Sequence, residues 1–460
     1  MAMREAVRDI GARARRWFAA LTPFKRMFAG WLVFMLYAFP GYMSYDSVLQ
    51  LREARWGYYS DGHPPMMAEL WRTTDYFVAG PLGMLVVQSV CFLAGVYLIF
   101  KRRMSPRTAA VAAVLVLLFP PVSSVMAVIW KDSQMTAFML LGLGLMLQDS
   151  RRARVLGLVA MAAGTAMRHN ALVMTLPLVV LLFVWDERYG AVKRYGIALV
   201  AWIVLTMSAR VVNNALTFSH RSVWVDKIAP CDIVATLRHT SPQIPDDEMR
   251  TLLEGTRLLQ SHDLHAFTQR GDEDADLGGT LWDTPYFFLA APMTDEERDG
   301  MVRAWKRVVF SHPRAFLTYR WRIFQRIIGL GGPGDSTVYN WFTDIQDPYK
   351  SAFQVDHDAA ASRIQNLLRQ AMHWCGSSVV FSITVYLALS LLLLPFCVRD
   401  RESFALLVSA LMGEAILFLI APTTDWRYSY WLIVAVVIVT VLLVARRRQM
   451  VWATASTMKQ

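Results

Sequence analysis

The feature that most constrains this chain is a series of apolar blocks, each too long and too uniform to be one face of a helix in a water-soluble core. Such blocks fold where the solvent is itself apolar, and there every backbone N–H and C=O must be satisfied internally. The expected fold class is therefore an all-α polytopic membrane protein with about ten transmembrane helices. The apolar runs fall near residues 27–43, 80–100, 108–127, 133–148, 155–168, 171–185, 195–212, 377–397, 403–421 and 428–445. Several are short for a hydrocarbon core about 30 Å thick, so their helices are expected to begin among headgroups.

Basic residues orient the spans. Alternate connections carry Lys101, Arg102, Arg103 and Arg107, then Arg151, Arg152 and Arg154, then Arg188, Lys193 and Arg194. Later ones carry Arg399 and Arg401, and finally Arg446, Arg447 and Arg448. The positive-inside rule puts these, with both termini, on the cytoplasmic side. The net charge of +11 sits mostly in these clusters, which argues against nucleic acid as a partner. Residues 1–21 show no cleavable signal; they read either as a basic amphipathic helix on anionic lipid or as a positive tail.

Three units follow: an N-terminal membrane module over 1–212, an outer (periplasmic) domain over 213–376, and a C-terminal membrane module over 377–460. Inside the first, the outer loop 44–79 reads as two membrane-surface helices, DSVLQLREARW from Asp46 and MMAELWRTTDYF after Pro64 and Pro65. The outer domain reads as mostly helical, from MVRAWKRVVF and FLTYRWRIFQRII, and no internal repeat points to an inverted-repeat transporter. Cys91 and Cys397 read as packing residues in apolar runs, whereas Cys231 and Cys375 fall outside the cytoplasm and are a candidate disulfide.

This topology gathers an unusual set of charges at the outer membrane surface: Asp46, Asp61 and His63; Lys131 and Asp132; Arg168 and His169; Asp425 and Arg427. Each has a bland alternative: Asp46 and Asp132 as helix caps, His63 as a turn or cap residue, Arg168 and Arg427 as snorkelling anchors. The set says more than its members, because ionisable groups beside apolar spans are expensive and four separate connections contribute. A carboxylate beside several cations suits transfer of a sugar from a lipid phosphate, which needs a base on the acceptor hydroxyl and positive charge on the departing phosphate.

The motifs PGYMSYDS, HPP, KD in IWKDSQ, MRHNAL, HPRAFLTYR and DWRY together resemble the GT-C superfamily of polytopic glycosyltransferases, most closely branches related to the aminoarabinose and protein O-mannosyl transferases. The resemblance implies a polyprenyl-phosphate-linked sugar as donor, a glycan, lipid or protein acceptor, and a first-loop aspartate as base. Asp46 matches that aspartate, and Asp132 matches the second-loop acidic residue. Lys131, Arg168 and Arg427 match basic positions near the donor phosphate, with His63 on phosphate or sugar, while Asp61, His169 and Tyr428 are expected to face acceptor or sugar. Asp46 is followed by Ser47 where the O-mannosyl transferases carry paired acidic residues, so no metal ligands are assigned and a divalent cation is not obligatory. Two other readings stay open: a glycan polymerase or ligase using a lipid diphosphate donor, and a lipid or solute transporter. The acidic stretch DEDADLGGTLWD (272–283) lacks the glycine and glutamate of a calcium loop, and Trp282, Tyr339 and Trp341 read as interfacial anchors or sugar-stacking rings.

Overall fold

The structure, a computed structural model, describes residues 20–219, 224–260, 293–330, 362–421 and 423–457. Most of the N-terminal segment, the acidic stretch 272–283, and Tyr339 and Trp341 lie outside the described residues. The chain is all-helical apart from one short parallel pair, Tyr59–Ser60 with Thr217–Ser219. A helix stands at each of the ten places where the apolar runs fall. Among the described residues, however, only four are long and apolar enough to cross a membrane: Leu82–Phe100, Ala191–Leu216, Arg401–Ile420 and Trp426–Gln449. A fifth crossing exists if the pair Pro106–Leu118 and Pro120–Met126 counts as one, although it bends by 72°. The rest, such as Ala171–Leu182 and Ile383–Cys397, are shorter.

That bend has a local cause: Pro120 and Pro121 remove two amide donors and clash with a continuing helix. The chain then runs irregularly to Trp130 deep in the protein, where unpaired carbonyls would be costly. Each is answered. Gln88 Nε2 donates to Met126 O at 2.6 Å and Val128 O at 3.0 Å. Ser133 Oγ donates to Val125 O at 2.7 Å, the Tyr42 amide to Ala127 O at 2.9 Å, and Ser47 Oγ to Ile129 O at 2.7 Å. Gln134 Nε2 in turn donates to Gln88 Oε1 at 2.8 Å, so one amide ladder joins helix Lys131–Met146 to helix Leu82–Phe100.

Those two helices and Arg151–Met167 approach until backbones touch. A Cβ on Gly157 would lie 2.6 Å from Met146 N, one on Gly142 would lie 2.8 Å from Gly157 O, and one on Gly95 would strike the Leu140 carbonyl carbon. Small residues at such crossings are the means by which helices gain close packing in lipid, where no hydrophobic force drives them together. Helix Ala191–Leu216 differs: most of its residues are exposed, as suits a helix facing lipid.

Within 213–376, helices Ala229–Arg238, Asp246–Leu252 and Asp295–Ser311 close a small apolar core of their own. A second cluster joins them to the bundle, with Tyr319, Ile323 and Ile327 of helix Pro313–Ile327 packed on Leu417, Ala421 and Tyr428. Arg320 is buried there, pairing with Asp232 and donating to Ala421 O at 2.8 Å. Cys231 belongs to the small core and Cys375 packs against the bundle, and the structure joins them by no disulfide.

The glycine contacts generate a paired expectation. Gly157→Ala overpacks a backbone crossing and is expected to lower stability by about 1–3 kcal/mol, whereas Gly196→Ala, with open space around it, is expected to be neutral or stabilising by up to about 1 kcal/mol. Thermal midpoints in detergent check this; equal behaviour of the two variants would rule out the close crossing.

Candidate functional site

The site is assembled by helix ends. Ser44, not Asp46, caps helix Tyr45–Trp56, in a capping box with Ser47. Asp46 is thereby released from capping and sits in the first turn. Trp130 stands at the cap position of helix Lys131–Met146 and makes no side-chain bond to that helix end, which likewise leaves Asp132 in the first turn with its carboxylate turned to another partner. His63 does not cap the helix that follows it; Pro64 occupies the cap and Pro65 the first turn of Pro65–Phe77. At the far end of the chain, Asp425 caps the short turn Trp426–Ser429, which presents Arg427 and Tyr428.

Two contact systems result. In the first, Arg427 NH2 donates to Asp46 Oδ2 at 2.6 Å, joining residues 381 apart in sequence. Arg427 Nε is 2.6 Å from Asp425 Oδ2, an ion-pair contact whose angle does not make a hydrogen bond. The guanidinium lies over the Trp130 ring at 4.4 Å, and Trp130 Nε1 donates to Ser44 Oγ at 2.6 Å. On the other carboxylate oxygen, His63 Nε2 stands 3.8 Å from Asp46 Oδ1. Lys131 Nζ is 2.8 Å from His63 Nδ1.

In the second system, Arg168 NH1 donates to Asp132 Oδ1, with Arg168 8% and Asp132 1% exposed. Arg168 stacks over the Tyr428 ring at 4.6 Å, and Arg427 is 5.7 Å from the same ring. Tyr428 therefore stands between the two arginines. Both guanidiniums are turned inward and paired, so neither is a snorkelling anchor. His169 is exposed beside this pair, within electrostatic reach of Lys131 and Asp61.

Burial alone would push the Asp46 carboxyl up, but the charges of Arg427, His63 and Lys131 together hold it well below the usual carboxylate range. It is a carboxylate at any physiological pH. Two unmet groups complete the picture: Arg427 NH1 and Asp132 Oδ2 are buried without a hydrogen-bond partner among the described residues. A buried N–H left open next to a lysine is what an incoming anion would use. Among the described residues no group of three or more His, Cys, Asp or Glu side chains is placed to hold a metal ion.

Several members were not legible in sequence. In sequence Trp130 is only a letter of IWKDSQ, in a short connection between two apolar runs, yet its ring is the bed for Arg427. Asn213, inside the exposed helix Ala191–Leu216, accepts from Met66 N at 3.1 Å and donates to Ala166 O at 3.0 Å. One amide thus ties the start of the helix after His63 to the end of the helix before Arg168. An asparagine late in an apolar run was the available signal.

Compared with known proteins, the chain matches no family model, no curated protein and no solved structure.

A double-mutant cycle tests the second system. Asp132→Asn or Arg168→Gln alone leaves one buried charge without its partner and is expected to lose about 3–5 kcal/mol, while the double variant is expected to lose clearly less than the sum. Strict additivity in denaturation measurements would mean the pair does not exist in the membrane.

Proposed function

We propose that the protein is a GT-C-type glycosyltransferase that moves a sugar from a polyprenyl phosphate to a hydroxyl of an envelope glycan, lipid or protein. The observation that carries this reading is the Asp46–Arg427 contact flanked by Lys131, His63 and an open Arg427 N–H, drawn from three distant parts of the chain. The motif resemblance supports the same reading. In it, all ten helices at the apolar runs belong to the membrane module, the short ones lying wholly or partly at its surfaces. The site faces the outer side of the inner membrane, and 213–376 forms a periplasmic domain.

The chemistry follows from which charges are already neutralised. Arg168 is matched by Asp132, and Arg427 by Asp46 and Asp425, whereas the nearest partner of Lys131 is an imidazole. The donor phosphate binds at Lys131 and the open N–H of Arg427. By sharing Arg427, it weakens the grip that keeps Asp46 a poor base, and the carboxylate gains proton affinity when the donor arrives. The acceptor hydroxyl gives its proton to Asp46 as its oxygen forms a bond to the anomeric carbon. The bond from that carbon to the phosphate oxygen breaks, and the phosphate leaves with both electrons, its charge met by Lys131 and Arg427. A single displacement of this kind inverts the anomeric centre. Asp61, His169 and Tyr428 are then placed to meet sugar or acceptor hydroxyls. The cations supply the leaving-group charge, so the step runs without an obligatory metal.

Purified protein in nanodiscs, offered a panel of polyprenyl-phosphate and polyprenyl-diphosphate sugars, is expected to transfer from the monophosphate class. Asp46→Asn is expected to retain donor binding while losing transfer by about two to four orders of magnitude. Transfer from diphosphate donors that survives Asp46→Asn would establish the polymerase or ligase reading instead, and no binding of any lipid phosphate would point to a transporter. The sign of the pH effect is also set. Arg427 lowers the Asp46 pKa, so Arg427→Gln is expected to raise it and move the acid limb of kcat/KM to higher pH. An acid limb that stays in place would remove Asp46 from the role of base.

A further inference from the structure

Helix Arg363–Gly376 lies outside both contact systems and outside the candidate spans. At about 100° per residue, its side chains divide into three faces centred about 120° apart. Gln365, Arg369 and Met372 turn to the protein: Gln365 is buried and Met372 packs on the main apolar core. Ile364, Leu367, Leu368, Ala371 and Trp374 form a second face that is exposed throughout, with Leu367 at 65% and Trp374 at 79%. Arg363, Asn366, Gln370 and His373 form a third face, polar and exposed.

A helix in water would not leave a five-residue apolar stripe bare, and a helix crossing the bilayer would not carry a polar stripe into lipid. Three faces of these three kinds fit one placement, in which the helix lies along the membrane surface with protein beside it, water above and acyl chains below. We infer that Arg363–Gly376 is an in-plane interfacial helix whose Ile364–Leu367–Leu368–Trp374 face is buried in the bilayer.

Three further observations commit the occupant to lipid. The helix runs through a short turn into the apolar helix Ile383–Cys397. It docks where the exposed stripe Phe24, Phe28, Leu32 and Leu36 of helix Pro23–Ala38 comes to an end. There Gln365 Nε2 donates to Tyr37 O at 3.1 Å and Phe39 O at 2.6 Å. It also contains Arg363, Arg369 and His373 and no acidic residue, a balance suited to anionic headgroups.

The placement has a consequence for the site, whichever reaction it performs. Arg369 Nε donates to the Tyr42 hydroxyl at 3.3 Å, and the Tyr42 backbone pairs with Ala127 and Ile129 just before Trp130. Two residues after Tyr42, Ser44 caps the helix that carries Asp46. The membrane surface, through this helix, sets the depth at which Asp46 and Lys131 stand.

Tryptophan quenching tests the inference without any assay of activity. The chain has 16 tryptophans, so the signal of Trp374 is the difference between the wild type and Trp374→Phe, a variant first shown to keep the wild-type thermal midpoint. In nanodiscs of phospholipid brominated near the headgroup end of the acyl chain, that difference is expected to lose roughly half its intensity. Lipid brominated deeper is expected to quench it less, and aqueous iodide hardly at all. Efficient iodide quenching would return the helix to water. Stronger quenching by the deeper bromine would make it a spanning segment, and quenching by neither would mean that protein covers the face. Each of these three outcomes overturns the inference.

Discussion

The structure turns on one contact, the Arg427 guanidinium on the Asp46 carboxylate. Removing two charges from water is repaid only when each finds several partners in good geometry. Here each does. The carboxylate has Arg427 on one oxygen and His63 facing the other, while the guanidinium has Asp46, Asp425 and the Trp130 face. To bring those partners together, the chain must end four helical segments at one level and hold the irregular backbone between them. Most of the unusual features of the fold serve that need: the proline bend, the Gln88–Gln134 ladder and the Ser44–Ser47 capping box.

The polar residues buried among the helices fall into two kinds. One kind replaces missing backbone hydrogen bonds. Gln88, Ser133, Ser47 and Asn213 all spend their side chains on main-chain groups near the ends of helices, at places where lipid or packed side chains offer nothing else. The other kind carries charge and is held by the first. Asn213 illustrates the link: it holds the backbone on either side of His63 and Arg168 without touching either residue. Arg320 does the same from the segment 213–376. It fixes the Ala421 carbonyl four residues before Asp425, while Tyr319 and Ile323 of the same helix pack with Tyr428.

How much of this was legible in sequence depends on the range of the interaction involved. A helix stands at every place where an apolar run announced one, because hydropathy is a local property. The break within one run was not legible: 108–127 read as one span, and the structure makes it two helices that meet at Pro120 with a 72° bend. The charged set was legible because topology alone brings alternate connections to one end. Pairings were not, since nothing in TTDWRY says that Arg427 will meet Asp46 rather than a phosphate or solvent. The cap readings for Asp46 and Asp132 failed for a related reason: the neighbouring Ser44 and Trp130 took those positions. Helix Arg363–Gly376 was passed over because its apolar face is only five residues, too few for a span and unremarked inside a polar segment.

The charge arrangement also limits what kind of ligand the site can take. Asp46, Asp132 and Asp425 stand against Arg168, Arg427 and Lys131, so the inner site gathers groups of both signs with no large excess of either. A site that attracted anions by net charge alone would leave its arginines unpaired, at a large desolvation penalty while it stood empty. This one keeps them paired and offers an anion an exchange: an open N–H on Arg427 and a lysine whose nearest partner is an imidazole rather than a carboxylate. Affinity obtained by exchange is modest, because each new bond loosens an old one. What the exchange adds is coupling, since an anion that draws on Arg427 changes the proton affinity of Asp46, and the protonation of that carboxylate becomes dependent on whether the anion is bound.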